Sequence, residues 1–185
     1  MKLKSALVAL SIAGLTAAAS AAPLTYNVAR TIGAGSVAGI ITTDGTFGAL
    51  VTLNVTGWSL TLNDGVNTFG INQGNSVFRA TGTSFTADID SIDFDFMGVN
   101  AEFIFQNPAL GSGVNAWCGN GVGAPSCVGS SSTEIVAVGA LEALGRQGVS
   151  QIASRVVPVN GVPEPASLAL VGLALFGAAA VRRRA

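Results

Sequence analysis

The fold class is decided by a stretch in the first half of the chain, Gly57-Trp58-Ser59-Leu60-Thr61-Leu62-Asn63-Asp64-Gly65. Large apolar residues at Trp58, Leu60 and Leu62 alternate with small or polar ones, which is the period of a strand with one buried face. The Asp-Gly pair that follows favours a hairpin turn, because glycine adopts a positive φ at no steric cost. The stretch therefore predicts a β-strand that ends in a hairpin.

The same pattern of short runs separated by Gly, Asp and Asn recurs along the chain. The further strands predicted in this way cover residues 24–28, 36–42, 49–55, 77–81, 91–96 and 101–105. Short strands at this spacing are typical of all-β antiparallel folds. We predict a single antiparallel β-sandwich with a jelly-roll-like order, with an open barrel as the alternative. No internal repeat stands out, which disfavours a solenoid or a propeller.

Residues 134–147 admit two interpretations. Their apolar positions fit one face of a helix, for which Thr133 would be the N-cap. Gly139 and Gly145 oppose a helix, since each costs about 1 kcal/mol relative to alanine in a helix interior. We therefore predict strand structure here, with a closing strand at 152–157.

Composition narrows the chemistry that this chain can perform. The sequence contains no histidine, which excludes Ser-His-Asp and Cys-His catalysis and histidine-ligated zinc. Carboxylate-pair chemistry stays open, because it needs only Asp and Glu. The net charge is −1, but the two ends are basic, and residues 23–162 hold four arginines against nine acids. A body with so few cations excludes nucleic acid as a partner.

Residues 1–22 have the composition of a secretory signal peptide. A start with two lysines precedes an apolar region at 6–15, and the small residues that follow contain an Ala-x-Ala pattern. We predict cleavage after Ala21 or Ala22. The exported domain, called the ectodomain below, then covers residues 23–157.

Residues 158–185 predict a linker followed by a membrane-directed tail. The triplet Pro163-Glu164-Pro165 precedes an uncharged stretch at 166–181, and the cluster Arg182-Arg183-Arg184 follows it. A helix over 166–181 rises about 24 Å, close to the ~30 Å hydrocarbon core of a bilayer. The arginines place this end on the cytoplasmic side and the triplet on the exported side. We predict one transmembrane helix here.

The tail resembles the PEP-CTERM sorting signal of exported proteins in Gram-negative bacteria. The resemblance lies in the triplet Pro163-Glu164-Pro165, the apolar stretch and the terminal Arg182-Arg183-Arg184, in that order. It implies processing at the triplet by an exosortase, an integral-membrane enzyme, with the arginines as the stop. It also implies an inner-membrane-anchored intermediate and delivery to the cell surface or an exopolysaccharide matrix, which makes extracellular polysaccharide a candidate partner. The resemblance transfers no activity to the ectodomain.

Cys118 and Cys127 are the only cysteines, and the segment between them is rich in glycine. In an exported chain such a pair favours a disulfide over a redox or metal site. Closing a loop of about ten residues contributes roughly 2–3 kcal/mol in the chain-entropy account. We predict a structural disulfide beside an exposed Trp117.

Four acids, Asp88, Asp90, Asp93 and Asp95, form the densest charge cluster of the chain. Asp93 and Asp95 alternate with phenylalanines, so in a strand the two acids share one face. Several carboxylate oxygens together could hold calcium. The spacing lacks the glycine and the final glutamate of an EF-hand loop. We predict a solvated strand face, with calcium binding as the alternative, and no cofactor.

Together these patterns predict a non-enzymatic protein of the cell surface or its matrix, with a structural or adhesion role and no catalytic residues. One alternative is a lectin-like or calcium-assisted glycan-binding module that uses Asp88–Asp95 or the loop at Trp117. A second alternative is a glycan hydrolase. Its candidate pair is Glu102 with Asp95, because such enzymes place two carboxylates across the scissile bond.

Overall fold

The structure is a computed structural model, and it describes residues 22–123, 131–139, 141–146 and 148–156. The chain divides into two compact units, Met1–Arg155 and Val156–Ala185. All strands described below belong to the first unit, and only Val156 of the second unit is described.

Two predicted segments lie outside the described residues. These are the signal peptide, apart from Ala22, and the whole tail with its predicted membrane helix at 166–181. Within the described part of the chain, no helix reaches the length and apolar character needed to cross a bilayer.

The described residues form thirteen strands and one short turn of 3-10 helix at Thr52–Asn54. The strands are β1 Leu24–Ile32, β2 Gly35–Thr43, β3 Gly48–Ala49, β4 Val55–Asn63, β5 Thr68–Asn72, β6 Val77–Thr81, β7 Phe85–Ala87, β8 Ser91–Asp95, β9 Glu102–Asn107, β10 Asn115–Asn120, β11 Thr133–Val138, β12 Leu141–Arg146 and β13 Val149–Arg155. For the residues that the structure describes, the prediction of an all-β ectodomain is confirmed.

The strands make two sheets. The larger has eight strands in the order β3-β7-β8-β13-β1-β2-β4-β5, and the smaller has five in the order β12-β11-β10-β9-β6. Every ladder between these strands is antiparallel. The five-stranded sheet therefore contains one run of four strands, β9 to β12, that are neighbours in both sequence and space.

Aromatic rings from the two sheets meet in one shared core. Phe94 of β8 packs edge-on against Phe103 of β9, with ring centroids 5.0 Å apart. Trp58 of β4 meets Phe105 of β9 in the same way at 5.6 Å, and Phe105 stacks on Trp117 of β10 at 5.4 Å. Contacts of this kind add to the apolar area that the two faces bury. They join the inner faces of the two sheets.

The hairpin predicted from the Asn63-Asp64-Gly65 turn is confirmed. β4 pairs with β5 from Ser59↔Asn72 to Asn63↔Thr68. Within the turn, the Asp64 carboxylate accepts the N–H groups of Val66 and Asn67 at 2.8 and 2.7 Å. An aspartate that satisfies its own turn in this way stabilises the reversal of the chain.

Strand structure within 134–147 is also confirmed. β11 and β12 pair from Thr133↔Arg146 to Val138↔Leu141. Gly139, in the turn between them, has a φ of 68°. A helix would need a negative φ at this position, so the glycine that weakened the helix interpretation is part of the hairpin instead.

The prediction of a continuous strand at 49–55 is wrong. Only Gly48–Ala49 pairs with β7, and the 3-10 turn follows. The Asn54 side chain accepts the N–H of Val51 at 2.8 Å and donates to the Asp44 carboxylate at 3.0 Å. These local bonds offer the backbone an alternative to a ladder. Leu53, within this turn, is 86% exposed.

Two strands, β7 and β10, were not predicted from the sequence, and β5 was predicted only as the partner in the β4 hairpin, without bounds. β10 is the middle strand of the five-stranded sheet, between β9 and β11. Its segment is rich in glycine and asparagine and reads as a loop from composition alone. Gly119 nevertheless fits the sheet, because a Cβ there would lie 2.3 Å from the Phe103 ring. The missing side chain makes room for the aromatic core.

Candidate functional site

One buried carboxylate, Glu134 on β11, joins the two sheets. Alternation places it on the core side of β11, and its side chain is fully buried. Arg30 of β1 donates through Nε to Glu134 Oε1 at 3.1 Å and through Nη2 to Oε2. Trp117 Nε1 donates to Oε1 at 3.1 Å. Both carboxylate oxygens are thus paired, as a buried charge requires.

Arg30 also reaches β13 within its own sheet. Its Nη1 donates to Ser150 Oγ at 2.8 Å and to the Gln151 carbonyl at 2.9 Å. The sequence patterns did not predict this network. A lone acid at a core-facing position of an apolar run is the feature that could have revealed it, because such an acid needs a cation and the ectodomain has only four arginines.

A second acid, Glu102, is buried on the opposite, outer side of the five-stranded sheet. Its Oε1 lies 2.6 Å from Arg79 Nη2, and the two side chains are 5% and 37% exposed respectively. Glu102 Oε2 and Arg79 Nε have no hydrogen-bond partner. The contact between Glu102 Oε1 and Arg79 Nη2 is therefore the one that holds this pair together.

The structure does not bring the predicted hydrolase pair together. Glu102 lies on the outer side of the five-stranded sheet, since its neighbour Phe103 packs in the core. Asp95 lies on β8 of the other sheet, where Oδ1 accepts the Met97 N–H at 2.9 Å. Phe94 fills the core between them. The two carboxylates face away from each other, so they do not flank a common groove.

The acidic cluster is built into a turn. Asp88 Oδ1 accepts the N–H groups of Asp90 at 2.7 Å and Ser91 at 2.6 Å, and these bonds hold the pKa of Asp88 below its usual value. Tyr26 donates its hydroxyl to the Asp88 carbonyl at 2.7 Å, and burial raises the pKa of that hydroxyl. The carboxylate of Asp88 is therefore committed to the backbone.

Asp93 and Asp95 share a half-exposed face, and Phe94 and Phe96 are buried in the core, as the alternation predicted. Asp93 Oδ2 accepts the Ser91 hydroxyl. Within the described ranges, no three acidic or cysteine side chains lie close enough to hold a metal ion. The calcium alternative gains no support from these residues.

Trp117 does not lie on an exposed loop, and that prediction is wrong. It is fully buried in β10, where its ring packs between sheets and its N–H reaches Glu134. Cys118 is disulfide-bonded and nearly buried. Cys127, its predicted partner, lies outside the described residues. The predicted pairing itself stays a prediction.

A small, open surface pocket lies between β1 and β13 of the eight-stranded sheet. Its volume is about 80 Å³. It is lined by Asn27, Ala29, Gln151, Ile152, Ala153 and Ser154. The two strands pair only at Tyr26↔Arg155 and Asn27↔Ser154, and β13 carries a register shift between Gln151 and Ala153. The lining offers two amides and a hydroxyl but no charge, and sequence patterns do not reveal a gap of this kind.

These features define the ectodomain as an all-β domain of two antiparallel sheets. At the other end of the chain, the family model of the PEP-CTERM protein-sorting motif matches residues 161–184. Residues 161–184 therefore carry the PEP-CTERM sorting motif, which confirms the resemblance seen in the sequence.

The matched range contains the predicted processing and stop residues, namely Pro163, Glu164, Pro165, Arg182, Arg183 and Arg184. The motif indicates an extracellular protein of Gram-negative bacteria that an exosortase, a membrane enzyme, processes after export through a membrane-anchored intermediate. No curated protein and no solved structure matches the chain.

Proposed function

We propose that this protein is a non-enzymatic component of the cell surface or of the extracellular polysaccharide matrix. Its ectodomain is a jelly-roll-like β-sandwich, and its tail is the address that delivers it. The observation that carries the proposal is the sorting motif at 161–184 behind an all-β domain. A signal peptide at 1–22 starts export, and the helix at 166–181 holds the intermediate in the inner membrane.

The engagement of the acidic side chains supports a role without catalysis. Glu134 is saturated by Arg30 and Trp117, and Asp88 is held by backbone N–H groups. Glu102 and Asp95 face away from each other, which leaves the hydrolase alternative without the two facing carboxylates that it needs. With no histidine in the sequence, the common imidazole bases are also missing.

The local chemistry of the tail supports its role as a processing site. A proline removes a backbone donor and disfavours helix in the residue before it, so Pro163-Glu164-Pro165 stays extended. An extended segment just outside the bilayer is accessible to a membrane enzyme. The cluster Arg182-Arg183-Arg184 keeps the end of the tail on the cytoplasmic side.

Replacement of Pro163, Glu164 and Pro165 by alanine tests this proposal. We expect the wild-type chain to lose its tail and reach the surface or medium, and the variant to keep its tail and stay in the inner membrane. Mass spectrometry of the C-terminus and cell fractionation measure the two effects. Pro158→Ala, a proline change outside the matched range, is the control and should behave as wild type. Equal release of uncut wild-type chain in cells with and without the sorting enzyme would contradict the proposal.

A second candidate function is a glycan-binding module, favoured by the uncharged pocket between β1 and β13. The places first proposed for such a module do not support it. Trp117 is fully buried, and the Asp88 carboxylate is committed to its turn.

A further inference from the structure

We propose that the gap between β1 and β13, called the seam below, binds uncharged hydroxyl-rich polysaccharide chains. The inference rests on the proposed function, because it names the partner that the ectodomain would hold in its surroundings. It assigns the contact to Asn27, Gln151 and Ser154 and not to an acidic or aromatic cluster.

The chemistry of the seam suits neutral hydroxyl groups. Asn27 and Ser154 are directly paired across the two strands, and both side chains are exposed. With Gln151 they present two amides and one hydroxyl, which can each donate and accept hydrogen bonds. Ile152 and Ala153, which are 1% and 3% exposed, supply an apolar floor. Small-molecule sites combine an apolar wall with a few placed polar groups in this way.

The seam is a built feature of the sheet. β1 has nine residues and β13 has seven, yet only two residue pairs join them. The ladder of β13 with β8 shifts register between Gln151 and Ala153, which line the seam, and bulges of this kind often lie next to functional sites. Arg30 braces the same gap from the core side through Ser150 and the Gln151 carbonyl. Strands hold the lining groups in place, so little ordering cost falls on a ligand.

A neutral face continues from the seam across the sheet. Asn27 and its neighbours form one row of exposed cross-strand partners, which runs through Ser154, Asn27, Ile40, Ser59 and Asn72. At the usual strand spacing this row is about 19 Å long. β1, β2, β4 and β5 contain a single charged residue, Arg30, and it points to the core side. A polymer that enters the seam therefore meets one further hydroxyl, Ser59, and one further amide, Asn72, beyond the apolar Ile40.

Charge selects which polysaccharide fits. The neighbour of β13 on its other side is β8, where Asp93 and Asp95 are half exposed. A polymer with carboxylate groups would meet these like charges. β13 also carries Arg155, but Arg155 is paired with Tyr26, whose side chain lies on the core side, so no cation stands on the neutral face to compensate. An uncharged polysaccharide meets no such repulsion. The geometry thus favours neutral over anionic polysaccharide.

Binding of dextran and of carboxymethyl-dextran to the full-length chain tests the proposal. The two polymers share a neutral glucan backbone and differ in charge. A zwitterionic detergent keeps the chain soluble without adding a competing sugar headgroup. We expect dextran to bind about tenfold or more tightly than its carboxymethyl form, and Asn27→Asp to weaken dextran binding by about tenfold. Asn100→Asp makes the same change in the β8–β9 connection and should bind dextran as wild type does.

Thermal unfolding confirms that the variants are folded, since both replacements are isosteric and exposed. Equal dextran affinity for Asn27→Asp and wild type would overturn the assignment to the seam, and so would tighter binding of the carboxymethyl form. Cell fractionation measures the sorting of the chain independently of dextran binding. A wild-type chain that reaches the surface but binds no dextran would overturn this inference alone and leave the proposed function standing.

Discussion

Two glutamates of the five-stranded sheet, Glu134 and Glu102, are both buried, but their carboxylates differ in the number of donor groups that they contact. Glu134 points into the core, and three donor groups from Arg30 and Trp117 saturate it. Glu102 points outward and meets one nitrogen of Arg79, which leaves Glu102 Oε2 without a partner. The arginine side chains are 13% exposed in the first pair and 37% in the second.

The comparison shows that the depth of burial determines how completely the charges of an ion pair must be satisfied. In the core the cost of removing a charge from water is several kcal/mol per ion, and only complete pairing offsets it. Near the surface, a partly exposed arginine keeps much of its hydration, and the attraction is screened. The inner pair therefore joins the two sheets, and the outer pair contributes less. Each of the following predictions tests this contrast.

The largest effect is expected for Arg30→Met. The change leaves the Glu134 carboxylate buried without its cation, which typically costs about 3–5 kcal/mol of unfolding free energy. Urea unfolding of wild type and variant measures the loss. The double variant Arg30→Met/Glu134→Gln should recover most of it, because a neutral amide oxygen still accepts the Trp117 N–H. A double variant as unstable as the single one would show that packing of the arginine stem, and not charge, explains the effect.

A smaller loss is expected for Arg79→Met. Glu102 loses one charge-assisted hydrogen bond, but solvent already reaches its arginine partner, so we expect about 1–2 kcal/mol. The same urea experiment applies. Arg79→Lys keeps a cation at this position and should lose less than the methionine variant. A loss as large as that of Arg30→Met would remove the contrast between the two pairs.

The smallest effect is expected for Asp88, whose carboxylate is exposed. Backbone hydrogen bonds lower its pKa in the folded state from the usual 3.8. This carboxylate therefore stabilises the fold above pH 3.8, and its contribution is lost as the pH falls through the lower, folded value. Urea unfolding at a series of pH values below 5 should give a flatter acid decline for Asp88→Asn than for wild type. Superimposable curves would contradict this assignment.

Local patterns explain which elements could be predicted. The β4–β5 hairpin follows from alternation at Trp58–Leu62 and from the turn chemistry of Asp64, both within a few residues. The strand at 49–55 failed for an equally local reason, since Asn54 bonds to Val51 and to Asp44 instead of leaving the backbone for a ladder. The alternation pattern takes no account of these competing hydrogen bonds between side chains and backbone.

Long-range contacts explain what was missed at the candidate sites. Arg30 and Glu134 are 104 residues apart in sequence. Their pairing depends on β1 and β11 facing each other across the core. The burial of Trp117 likewise depends on β10 being a strand. The glycine and asparagine of this segment are typical of a loop, so the strand was not predicted.

By itself the sequence determined the all-β class of the described residues and the sorting motif that indicates export. Strand periodicity, turn residues and the tail matched at 161–184 are all encoded in short stretches that keep their meaning in any surroundings. Only the tertiary structure decided which acids are neutralised, which face of the sheet stays free of charge, and where β1 and β13 separate. Those properties depend on distances between strands far apart in the chain, and such distances exist only once the two sheets have packed.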